Sequence, residues 1–111
     1  MNIQWMNGCA VISPIDNHLD SITVGRWFAK NAMPESPCVL DFRKVTTIDI
    51  SGLSLLLRHG RHGDRGCSMV VKPGSWMESI CAVVKIKELI PLFHTVDDAV
   101  AHLLGTQEEA I

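Results

Sequence analysis

Short apolar runs alternate along this chain with stretches whose apolar residues recur at helical spacing, and proline or glycine marks nearly every join. That alternation constrains the fold most, because strands joined through helices form right-handed crossovers and a largely parallel sheet. Cys38-Val39-Leu40-Asp41-Phe42 is apolar almost throughout, which predicts an interior strand covered on both faces. Met69-Val70-Val71, closed by Lys72-Pro73-Gly74, reads as a second such strand, and Ile90-Pro91-Leu92-Phe93 as a weaker extended piece. At the start, Asn7-Gly8 separates two apolar-rich segments, the strongest short signal for a hairpin because both turn residues need positive φ. The expected strands are residues 3–6 and 9–14, with Pro14 ending the second because it has no N–H to donate.

Between the strands the spacing predicts four helices. Ile22, Val24, Trp27, Phe28 and Ala32 mark the first, over 20–33, with Asp20 or Ser21 capping its start and Pro34 and Pro37 ending it. Leu53, Leu56 and Leu57 lie at i, i+3 and i+4 in the second, which should begin within two residues of Ser51 and fail among the glycines of 60–66. Ser75 caps a third helix carrying Met77, Ile80, Cys81 and Val84. Thr95 caps a fourth carrying Val96, Ala99, Val100, Leu103 and Leu104. Residues 105–111 read as a frayed tail. The expectation is one α/β domain over 1–111, with a mixed sheet of four or five strands and about four helices.

Length and composition narrow the function. The 111 residues suit one core, and 47% hydrophobic residues suffice to build it. A net charge of −2 argues against a dedicated nucleic-acid binder, which normally carries a basic excess. No apolar run reaches the roughly 18 residues of a membrane span, and the N-terminus lacks the regions of a signal peptide. Cys9, Cys38, Cys67 and Cys81 form no C-x-x-C pair, and three of them sit in apolar runs, so free thiols in a reducing cytoplasm are expected.

The segment Val39-Leu40-Asp41-Phe42, followed after a polar stretch by Ile48-Asp49-Ile50-Ser51-Gly52-Leu53, resembles the signature of STAS domains, the anti-sigma factor antagonists and their relatives. Asn17-His18-Leu19-Asp20-Ser21 is similar to the family's G-x-L-D-S/A stretch, with Asn17 in place of the usual glycine. Met69-Val70-Val71-Lys72-Pro73 resembles its L-x-L-V-N-P strand, and the stretch from Leu89 to Ala99 its closing pattern. The resemblance runs from residue 3 to about 104.

It implies a non-enzymatic module that docks on a regulatory protein through Asp49, Ile50, Ser51, Gly52 and Leu53, in bacterial regulation, without a cofactor. The implied partner is an anti-sigma factor that is also a serine kinase. A second implied role is as the small STAS subunit that regulates the ATPase of a lipid-transporting ABC system. In the regulatory members the first Ser of D-S-S-G-L is phosphorylated. Here that position is Ile50, and Ser51 follows. The Ser51 hydroxyl is therefore expected either to cap the second helix or to serve as a shifted phosphate acceptor, since a helix N-terminus accommodates a phosphate.

Other constellations carry less. His59 and His62 lie three residues apart in a basic stretch, but no third metal ligand is placed beside them, and a solvated helix end suits them better. Ser13, Ser51 and Ser75 lack a nucleophile elbow, and Asp20, Asp41 and Asp49 read as caps and loop-shaping residues rather than an acid–base set. Trp5, Trp27 and Trp76 are candidates for core or interface.

Overall fold

Asn7 and Gly8 both take positive φ, 51° and 84°, the two left-handed residues that a type I′ hairpin requires. In the computed structural model, which describes residues 2–15, 17–30, 37–61, 66–83 and 90–109, this turn joins β1 (Asn2–Met6) to β2 (Cys9–Ser13) in antiparallel register. The second strand ends at Ser13, one residue short of the expected end at Pro14. There follow β3 (His18–Leu19), α1 (Ser21–Lys30), β4 (Cys38–Asp41), β5 (Thr47–Ile48), α2 (Ile50–Arg61), β6 (Cys67–Val70), α3 (Trp76–Val83), β7 (Leu92–Phe93) and α4 (Val96–Glu109). The main sheet has the order β1-β2-β4-β6-β7, and every pair after the hairpin is parallel. The α/β class, the mixed sheet and the four helices among the described residues are those expected.

Strand alternation divides the core. Ala10, Ile12, Cys38, Leu40 and Met69 face one side, where they pack with Leu19, Val24, Leu53, Met77 and Cys81 from the connections and α1–α3. Cys9, Val11, Val39 and Val70 face the other side, which α4 covers with Ala99, Val100 and Leu103. β4 is buried from both sides, which is why its apolar sequence shows almost no alternation. The caps on α1, α3 and α4 fall on expected residues. The Thr23 N–H donates to Asp20 Oδ1 at 2.7 Å, the Glu78 N–H to Ser75 Oγ at 3.2 Å, and the Asp98 N–H to Thr95 Oγ1 at 3.1 Å.

Four features depart from the sequence reading. β6 begins at Cys67 rather than Met69, because Cys67 and Ser68 complete the ladder against Cys38 and Val39. α4 continues to Glu109, through the stretch read as a frayed tail; one glycine, Gly105, costs a helix only about 1 kcal/mol and does not end one already formed. β3 and β5 form a separate two-stranded parallel sheet. Ile22 is exposed rather than part of the apolar face of α1. Trp5 and Trp76 are exposed as well. The side chains of Trp27, Phe28, Leu56, Leu57 and His59, and the whole of Ala32, His62 and Val84, lie outside the described residues.

Candidate functional site

The connections leaving β2 and β4 meet in the small β3–β5 sheet. His18 pairs with Thr47 and Leu19 with Ile48, and the Asp49 N–H donates to the Leu19 carbonyl at 3.0 Å. This ladder sets Asp20 beside Asp49 just before two helices begin. Each aspartate closes its helix in the same way, with its own Oδ1 accepting from the third helical N–H: Thr23 at 2.7 Å for Asp20, and Gly52 at 2.6 Å for Asp49. A carboxylate at that point satisfies an otherwise orphaned donor and faces the positive end of the helix dipole. The Thr23 backbone N–H is the main reason the Asp20 carboxyl lies below the ordinary range, and the Thr23 side chain adds to it.

α2 starts at Ile50, within the expected window, but Ser51 does not cap it. Ser51 is already the second helical residue and is exposed, and its hydroxyl makes no hydrogen bond among the described residues. A cap needs a residue outside the helical turn whose side chain reaches forward to the third N–H, and Asp49 is that residue. Asp49→Ala should therefore lower the unfolding free energy by about 1 kcal/mol in a urea titration, whereas Ser51→Ala should change it by only a few tenths.

Gly52 is the point of closest approach. A Cβ there would lie 3.0 Å from the carbonyl carbon of Asp20, 3.2 Å from its Cα and 3.1 Å from Asp49 Oδ1. The bare glycine lets the first turn of α2 rest against the backbone that starts α1. Further along, α1 and α2 lie side by side, with space at Gly25 for a Cβ 3.7 Å from Leu55 Cδ2. Leu53, 5% exposed, points into the core.

The five residues singled out in the sequence thus divide by role. Gly52 and Leu53 are buried and build the turn. Asp49 is at the surface with its carboxylate committed to the cap. Ile50 and Ser51 are presented outward, and Ile50 is 80% exposed. Ile22, in the first turn of α1, is 64% exposed, so two large aliphatic side chains stand on the opening turns of adjacent helices. The sequence reading missed Ile22, although its position offered a signal. It lies two residues from the fully buried Val24, about 200° around the helix, and cannot share that inward face.

A cavity of about 640 Å³ opens nearby between the end of β2 and Asp41, Arg43 and Lys44. Arg43 holds both Asp41 oxygens at 2.8 Å. Partial burial pushes the Asp41 carboxyl up, but the Arg43 side chain and N–H outweigh it and leave a net lowering. Among the described residues lining it, no hydroxyl or thiol is hydrogen-bonded to a base. Among the described residues, no three His, Cys, Asp or Glu side chains are grouped to hold a metal ion, and no helix is long and apolar enough to cross a membrane.

No protein-family model matches the sequence, and no curated protein does. Solved structures match the fold. An anti-sigma factor antagonist from Mycobacterium paratuberculosis superposes with a TM-score of 0.70 at 19% identity, over 92% of this chain and 91% of the other. A sulfate transporter family protein from Wolinella succinogenes gives 0.68 at 18%, over 93% and 90%. The murine Solute Carrier 26 family member A9 anion transporter gives 0.66 at 18%, with 92% of this chain aligned to 18% of that one.

Proposed function

We propose that this chain, whose fold is STAS-like, is a non-enzymatic regulatory module that works as an anti-sigma factor antagonist does, by docking on a protein partner through the first turns of α1 and α2. The observation that carries this reading is Ile50, 80% exposed at the first position of a helix whose start is held rigidly by Asp49, Gly52 and the β3–β5 ladder. An aliphatic side chain held in water on a preorganised turn offers contact area at little ordering cost. The same position in the D-S-S-G-L pattern carries the phosphorylated serine. With isoleucine there, docking is constitutive and is not released by a kinase.

Incubation with a serine kinase–anti-sigma factor from the same genome and ATP, followed by intact-mass measurement and a binding assay, tests this. The expected result is an unchanged mass and a complex that persists with ATP present. A phosphate mapped to Ser51, with binding lost on its addition, would replace the constitutive reading with an ordinary switch displaced by one residue. Binding to an ABC ATPase instead would move the module to the transporter-associated role.

A further inference from the structure

Outside this site, the strongest juxtaposition of reactive groups is a pair of cysteines inside the sheet. Cys38 and Cys67 are register partners at the starts of the parallel strands β4 and β6. Their side chains point to the same face, and their sulfurs lie 3.4 Å apart, within hydrogen-bond reach of one another. All four cysteines are free in this structure, and the other two are placed differently. Cys9 lies on the opposite face of the sheet, and Cys81 lies on α3.

We propose that Cys38 and Cys67 form a peroxide-sensitive dithiol that closes to a cross-strand disulfide. Adjacent strands lie about 4.7–4.9 Å apart, within the roughly 4.4–6.8 Å between Cα atoms that a disulfide spans. The sulfurs need only a small rotation to meet. The contact between the two sulfurs lowers the Cys38 thiol and raises the Cys67 thiol, which burial raises further, so the first is the nucleophile and the second the resolving thiol. The Cys38 thiolate attacks hydrogen peroxide, breaking the O–O bond to give a sulfenic acid and hydroxide, which takes up the proton released by Cys38. The Cys67 sulfur then displaces the sulfenic oxygen as water, so two thiols and one peroxide give one disulfide and two waters. All four cysteines are buried, and Cys67 is the residue with the largest remaining exposure, 9%.

The test uses the reduced wild-type protein, treated with a few equivalents of hydrogen peroxide, then denatured and alkylated together. The expected product has lost two hydrogens, takes up two alkyl groups in place of four, contains a linked Cys38–Cys67 peptide and returns to the starting mass with dithiothreitol. The reduced protein should also bind one equivalent of phenylarsine oxide, a probe for paired thiols, and Cys67→Ser should lose both responses. Because a buried hydroxyl can itself impair folding, the wild-type result decides alone. Four alkylated thiols after peroxide, a sulfinic acid on one cysteine, or a link through Cys9 or Cys81 overturns the proposal.

Discussion

Gly52→Val should destabilise the protein by about 2–3 kcal/mol, and Gly52→Ala by less, read as a lower urea midpoint at unchanged slope. Gly52 does not have positive φ, so neither substitution strains the backbone, and both raise helix propensity, alanine by about 1 kcal/mol. The contact decides the sign. The first added carbon meets the Asp20 backbone at 3.0 Å and the capping oxygen of Asp49 at 3.1 Å, and neither can retreat cheaply. Asp20 is fixed by its own cap and by the bond from the Val24 N–H to its carbonyl at 2.9 Å, and Asp49 by the bond to Gly52. Valine adds further atoms to the same space. Gly25→Ala is the internal comparison: among the described residues its Cβ meets only Leu55 Cδ2, at 3.7 Å, so the propensity gain survives and the variant should be stabilised by about 0.5–1 kcal/mol. Opposite signs at two helical glycines would locate the effect in packing.

Ile50→Asp should weaken partner binding about 10- to 100-fold and leave the fold intact. Burying an isoleucine contributes about 1.5–3 kcal/mol, and a carboxylate in its place adds a desolvation cost unless the partner supplies a cation. Each 1.4 kcal/mol is about tenfold in affinity. Ile50 is 80% exposed and supports nothing in the monomer, and an acidic residue in a first helical turn is electrostatically favourable, so thermal unfolding should hardly move. Ile22→Asp should weaken binding in the same way if the partner spans both opening turns, and Ser51→Ala should leave affinity within twofold. Equal binding by wild type and Ile50→Asp would remove the docking surface from this end of the molecule.

What was legible in the sequence was what is decided within a few residues. Asn7-Gly8 announced the hairpin because the turn geometry belongs to those two residues. Asp20, Ser75 and Thr95 could be identified as caps because each is followed directly by helical spacing. The start of α2 offered two polar residues, Asp49 and Ser51, one on each side of Ile50, and local preference favours both as caps. The choice between them comes from far away, through the Asp49 N–H bound to Leu19 across the β3–β5 ladder. That ladder was not visible, since two-residue strands such as His18–Leu19 are too short to show a period of two. Gly52 stood in the recognised motif, but its reason, the backbone of Asp20, depends on the packing of α1 against α2.

The parallel arrangement of β2, β4, β6 and β7 also bears on how fast the chain finds this structure. Among the described residues, the β1–β2 hairpin alone in the main sheet pairs strands across a two-residue turn; each of the other main-sheet ladders pairs residues more than twenty positions apart. A hairpin closes in microseconds, but a crossover must lose the entropy of a whole connecting segment before its first ladder bond forms. The barrier to folding should therefore lie in docking distant segments, with the hairpin formed early and contributing little to the rate. Shortening a crossover, rather than strengthening a strand, is then the change that would quicken folding.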